Sequence, residues 1–176
     1  MIITPLTPDN HVLLDPDILW NGRVGDLCKT AFDAPVNPSG FRAEQAIATA
    51  VLICLQTDIR VDESELRDGE QNRGWIGDSF DMAPGEVPIG SRLWLLRRRI
   101  LSEEIEQEAE DYARAALQTL IDQKVFVEVA VVATANMDAR QLELTVDATG
   151  RNGKQTFHEK YAILWDQLDG ISTPLA

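Results

Sequence analysis

The chemistry in this chain is concentrated in guanidinium groups. In the stretch PIGSRLWLLRRRI, Pro88 to Ile100, Arg92, Arg97, Arg98 and Arg99 fall within eight residues and are interleaved with Trp94 and three leucines. A guanidinium is a planar fork of donors that grips carboxylate or phosphate at two points. Such a cluster therefore suits a nucleic acid, a catalytic anion or an acidic protein surface. The formal net charge of -13 argues against nucleic acid, because a duplex is repelled everywhere outside the local patch.

Other reactive constellations are missing from the sequence. The two histidines, His11 and His158, form no HExxH and have no evident nucleophile beside them. Cys28 and Cys54 lack metal-ligand spacing, which reads as buried reduced thiols in a cytoplasmic setting. The tract DGEQNRGWIGD has neither GxGxxG nor GxxxxGK spacing, and no GxSxG occurs. The 29 acids offer many carboxylates, but abundance does not define a catalytic pair. The pattern assigns no catalytic, cofactor-binding or metal-binding residue, and the expectation is a protein that is not an enzyme.

These groups must be positioned by a fold, and 176 residues suit one domain that removes roughly 70% of its unfolded surface from water. Apolar residues at 44% and charged residues at 26% are ordinary for a globular chain. No apolar tract is long enough to span a bilayer, so no membrane association is expected. Residues 1–23 read as an N-terminal arm, 24–166 as the domain and 167–176 as a C-terminal tail. Within the first part, DILW and RVGDLCKT read as short strands turning at Asn21 and Gly22.

A helix is predicted from near Ser39 or Phe41 to about Thr57. Its stripe of Ala43, Ile47, Ala50, Val51, Cys54 and Leu55 is backed by further apolar residues, so burial on nearly all sides is expected. The acidic tract 61–90 follows, with five glycines and two prolines, and loops of that length usually carry function. A short helix capped by Ser91 is expected next, with Arg97, Arg98 and Arg99 in its last turn facing the helix-end carbonyls.

The second long helix runs from Ser102 to about Asp122. Its buried stripe is Ile105, Ala109, Tyr112, Ala116, Leu117 and Leu120, and its solvated face is Glu106, Glu108, Glu110, Asp111 and Arg114. Three strands close the chain: VFVEVAVVAT with a valine face at 125, 127, 129 and 131, then QLELTVDAT, then KQTFHEKYAILWD. The fold class is α+β, a mostly antiparallel C-terminal sheet packed against two main helices.

The order of TAVLICLQTD, RGWIGDSF and IGSRLWLLRRRILSEE, leading into EAEDYARAALQTLID and a valine-rich strand, resembles the baseplate wedge protein family of Mu-like contractile-tailed phages and prophages. The resemblance runs from Val24 to Trp165. It implies a structural subunit near the tail tube, held by larger wedge proteins, with tail sheath and tube-proximal proteins as further partners. The implied location is the virion tail baseplate, reached by assembly in the host cytoplasm. Matching residues are Arg73, Gly74, Trp75, Gly77 and Asp78 in the first tract, and Gly90, Ser91, Arg92, Leu93, Trp94 and Leu95 in the second. Ile76 stands where the family often has a second tryptophan, and the Glu-Pro-Arg contact motif of wider relatives is missing.

Tryptophan and arginine are favoured interface anchors, which makes Arg73, Trp75, Asp78, Arg92, Trp94, Arg97, Arg98 and Arg99 the candidate protein-interface residues. Two arrangements are open for them. They meet a neighbouring subunit, or Trp75 and Trp94 pack internally while Arg92 pairs with Asp78 or Asp81. The resemblance also implies a start of sheath polymerisation by strand sharing, which requires an open sheet edge, and residues 154–165 and the arm are the segments able to offer or receive such pairing. Readings from other classes are a peptidoglycan-cleaving tail enzyme and a small acidic inhibitor.

Overall fold

The computed structural model describes residues 16–20, 24–33, 46–80, 82, 84–97, 99–150 and 155–164. The expected arm before residue 16, the turn at Asn21 and Gly22, the start of the first helix, Asp81, Arg98 and the C-terminal tail lie outside them.

Strands β1 (Ile18–Trp20) and β2 (Gly25–Leu27) pair antiparallel, Ile18 opposite Leu27. So short a hairpin is marginal alone, and side chains tie it to the body. The Ile18 N–H donates to Thr49 Oγ1 at 3.2 Å, and the Trp20 indole N–H donates to the Ala162 carbonyl at 2.9 Å.

Helix α1 (Ala46–Gln56) is apolar on most sides, and Ala50, Val51, Leu52, Cys54 and Leu55 are buried. Ile47 departs from the expected stripe and is 43% exposed, whereas Thr49, Ala50 and Val51 are buried. Helix α2 is the single turn Leu93–Leu96, and α3 spans Glu103–Asp122. The core stripe of α3 is Ile105, Ala109, Ala113, Ala116, Leu117 and Leu120. Tyr112, expected in that stripe, is half-buried at its border, and Ala113 takes the central place.

Helix α3 ends in a Schellman turn. The Lys124 N–H donates to the Ile121 carbonyl at 2.8 Å and the Val125 N–H to that of Leu120 at 2.9 Å, with Lys124 at φ 60°. This turn resets the phase of the chain before the sheet. Phe126 enters the core beside Phe157 at a ring separation of 6.1 Å, whereas Val127 is 58% exposed. The expected four-valine face is thus corrected to Val129, Val131 and Ala133, within a strand that begins at Glu128.

Strands β3 (Glu128–Asn136), β4 (Gln141–Thr149) and β5 (Gln155–Leu164) form an antiparallel sheet in the order β3-β4-β5. Leu142, Leu144, Val146 and Ala148 of β4 and Tyr161 and Ile163 of β5 point inward, the period-two alternation of a sheet with one covered face. The helices cover that face, giving the α+β architecture.

Between α1 and α2 the chain leaves the body and returns at a fixed stem. Asp58 and Ser91 form a parallel bridge, with the Ser91 N–H donating to Thr57 O at 2.8 Å and the Ile59 N–H to Ser91 O at 3.1 Å. The buried Ser91 hydroxyl donates to the Leu55 carbonyl at 2.6 Å. Inside the excursion, Asn72 bonds both backbone groups of Val61, and Asp62 with Glu65 forms a capping box on a 3-10 turn. A loop this polar holds its shape because its backbone groups find side-chain partners.

Candidate protein-interaction face

The two tryptophans singled out by sequence have opposite fates. Trp94, on α2, is only 3% exposed and donates its indole N–H to the Ile59 carbonyl at 2.9 Å. The Arg73 guanidinium lies 5.3 Å from the centre of that ring and pairs with Asp58 at 2.9 Å. Arg73 and Trp94 therefore brace the excursion from within.

Trp75 instead stands 52% exposed at the start of the 3-10 turn Ile76–Ser79. Its ring lies over Gly77, where an added Cβ would come within 2.3 Å of the six-membered ring. Only a residue without a side chain admits the tryptophan in this position. In the same excursion Ile76, Phe80, Met82 and Val87 are also exposed, Phe80 by 74%, so it presents five large apolar side chains to solvent. Sequence reasoning missed all but Trp75. The available signal was the placement of apolar residues, without helix or strand periodicity, in an otherwise acidic, glycine-rich tract.

Asp78 supports this turn from below. One carboxylate oxygen accepts from the Ile89 N–H at 3.4 Å, and the other is buried without a hydrogen-bond partner. Arg92 does not reach it. Its guanidinium, half exposed at the N-cap of α2, pairs with Glu65 at 3.4 Å. Asp81, the other expected partner, is outside the described residues.

The arginine run is also arranged differently from the expected helix end. Helix α2 stops at Leu96, so no basic residue lies in its last turn, and Arg97 is the C-cap. Arg97 donates to the Gln56 side-chain carbonyl at 3.4 Å, leaving its own Nε and the Gln56 amide nitrogen buried without acceptors. Arg99 pairs with Glu108, one of its bonds being 2.7 Å, and that carboxylate raises the guanidinium pKa further above its usual value. The expected attraction between helix ends is thus replaced by a direct ion pair to the second turn of α3. The Ser91 hydroxyl still accepts from the Leu93 N–H, at 3.3 Å, although Arg92 occupies the cap position.

An open, mostly apolar groove of about 400 Å³ lies between Val87 and Pro88 on one side and Tyr112, Ala115 and Thr119 of α3 on the other. Val87 is both one of the exposed apolar side chains and part of the groove wall. Among the described residues there is no group of three or more His, Cys, Asp or Glu able to hold a metal. His158 lies on the solvent side of β5 with Nδ1 2.6 Å from Asp147 Oδ1. None of the described helices is long and apolar enough to cross a membrane.

Comparison with known proteins follows the same segments. A family model described as Phage protein GP46 matches residues 47–155, from α1 into β5. The Mu-like prophage FluMu protein gp46 of Haemophilus influenzae is 31% identical over 151 residues, covering 85% of this chain and 98% of that protein. Baseplate protein gp46 of Escherichia phage Mu is 36% identical over 110 residues, covering 61% of this chain and 68% of that protein. The chain belongs to the GP46 family of phage proteins.

Proposed function

We propose that this chain is a structural subunit of a Mu-like tail baseplate, which joins larger wedge proteins and catalyses no reaction. The observation that carries the reading is the exposure of Trp75, Ile76, Phe80, Met82 and Val87 along one excursion braced by Trp94 and Arg73. Large apolar side chains held rigid in water cost little to immobilise on binding and fit the anchor role in interfaces. The family relationship, including a relative named as a baseplate protein, supports placing the chain in the virion tail; assembly in the host cytoplasm belongs to the same proposal.

In this reading Trp75 and the other exposed apolar side chains enter a cleft on a larger wedge subunit. Arg92, which lines the groove, meets that subunit's acidic groups. Sheath contact is a second proposed role, by strand sharing at the β5 edge. The Trp20 indole already occupies one β5 carbonyl, that of Ala162, and the strand lies outermost in the described sheet.

The test is co-purification of the chain with the adjacent baseplate subunit. Ile76→Asp with Phe80→Ser should abolish the complex while the monomer stays folded, and an unaffected complex would overturn the assignment of this face. Backbone amide exchange tests strand sharing: protection of β5 should rise in an assembled wedge and sheath complex, and unchanged protection would exclude it.

A further inference from the structure

Strand β3 is the other edge of the described sheet, and α3 closes it. The Ala135 N–H donates to a carboxylate oxygen of Glu106 at 2.7 Å, and the Ala133 N–H donates to one of Glu110 at 3.1 Å. Amides two residues apart point the same way out of a strand, and these two are engaged by glutamates on the side away from β4. The geometry suits the pairing. Residues four apart on a helix rise about 6 Å, and outward amides two apart on an antiparallel strand are about 6.8 Å apart. With α3 and β3 antiparallel, Glu106 meets the later amide and Glu110 the earlier. Arg114 lies 3.7 Å from Glu110, on the following turn.

The sequence of β3 explains why such a closure matters. EVAVVATAN carries one charge in nine residues and is rich in β-branched side chains, with no proline. An edge with that composition templates pairing with an identical strand unless something blocks it. Sequence alone reads Glu106 and Glu110 as solvated charge, and the structure gives them acceptors' work at the sheet rim.

The geometry points to Glu106 and Glu110 as a gate that closes the β3 edge against strand addition by a second copy of this chain. Any strand exchange is thereby confined to the opposite rim. Closure belongs to the chain itself and holds whichever neighbours an assembly supplies.

The test compares the wild-type chain with Glu106→Ala/Glu110→Ala and Glu106→Gln/Glu110→Gln. Glutamine keeps a carbonyl acceptor at each position, whereas alanine removes it. In the wild type, the Ala133 and Ala135 amides should exchange at least about tenfold more slowly than exposed amides of the β3–β4 turn. The alanine variant should lose that protection in dilute solution and form concentration-dependent oligomers in sedimentation; the glutamine variant should behave as wild type. Fast exchange of both amides in the wild type overturns the gate, and this readout does not depend on any variant folding. Loss of protection in a folded alanine variant that remains as monomeric as the wild type also overturns it.

Discussion

A β-carbon placed on Gly90 would stand 2.4 Å from the carbonyl oxygen of Thr57. That oxygen cannot easily retreat, since it already accepts the Ser91 N–H at 2.8 Å, and Gly90 itself has φ +119°. Gly90→Ala should therefore destabilise the fold by more than about 2 kcal/mol, combining backbone strain with collision. Gly85→Ala is the control: φ is +92° but no atom lies within 4 Å of the added carbon, so strain alone applies. Urea unfolding should show the Gly90 variant less stable than the Gly85 variant; equal midpoints would remove the stem from the stability account.

Trp94 and Trp75 should separate folding from binding. Trp94→Phe leaves the partly buried Ile59 carbonyl without its indole donor and weakens the stack under Arg73, for a loss of about 1 to 3 kcal/mol in denaturant unfolding. Trp75→Ala should change monomer stability by under about 0.5 kcal/mol, because the ring is half in water. Its cost should appear as a loss of about 2 kcal/mol, roughly thirtyfold, in affinity for the adjacent baseplate subunit by calorimetry.

Tyr161 is buried, and its hydroxyl has no hydrogen-bond partner. Burial, aided by Glu159, pushes its pKa above the ordinary phenol range. Removing an unsatisfied buried hydroxyl relieves desolvation without losing a bond. Tyr161→Phe should leave thermal stability unchanged or raise it by up to about 1 kcal/mol. A clear drop in melting temperature would mean that the hydroxyl has a partner in solution.

Cys54 gives the chain an alkaline weakness. Burial raises its thiol from the ordinary 9.0 to about 11. Below pH 9.0 folded and unfolded states both hold the proton and stability is unaffected. Between 9.0 and about 11 the unfolded thiol ionises while the folded one does not, so stability falls as pH rises and levels off above. The loss should be on the order of 3 kcal/mol, and Cys54→Val should lack that part of the slope in pH-dependent unfolding.

Periodicity made the body of the molecule legible. The stripe of α3 and the alternation of β4 follow directly from residue spacing, because each element covers one continuous face. Phase resets were not legible: Lys124 adopts a left-handed turn that glycine usually occupies, and it displaced the expected valine face. Ion pairing was equally opaque. Arg92 could not be matched to Glu65 by sequence, since their meeting depends on how the excursion folds back. Of the candidate face only Trp75 was visible in the sequence, and which aromatic ring faces water is decided by a backbone carbonyl at Ile59.

The short parallel bridge of Asp58 with Ser91 clasps the two ends of the excursion together beside the helices. If the proposed contact face is the excursion, its specificity can be rewritten by substitution at the exposed positions between the two clasped ends while the scaffold stays intact. Related tails could thus diversify which neighbour they accept without re-evolving a foldable subunit, and an engineer could graft a foreign recognition segment onto the same pedestal.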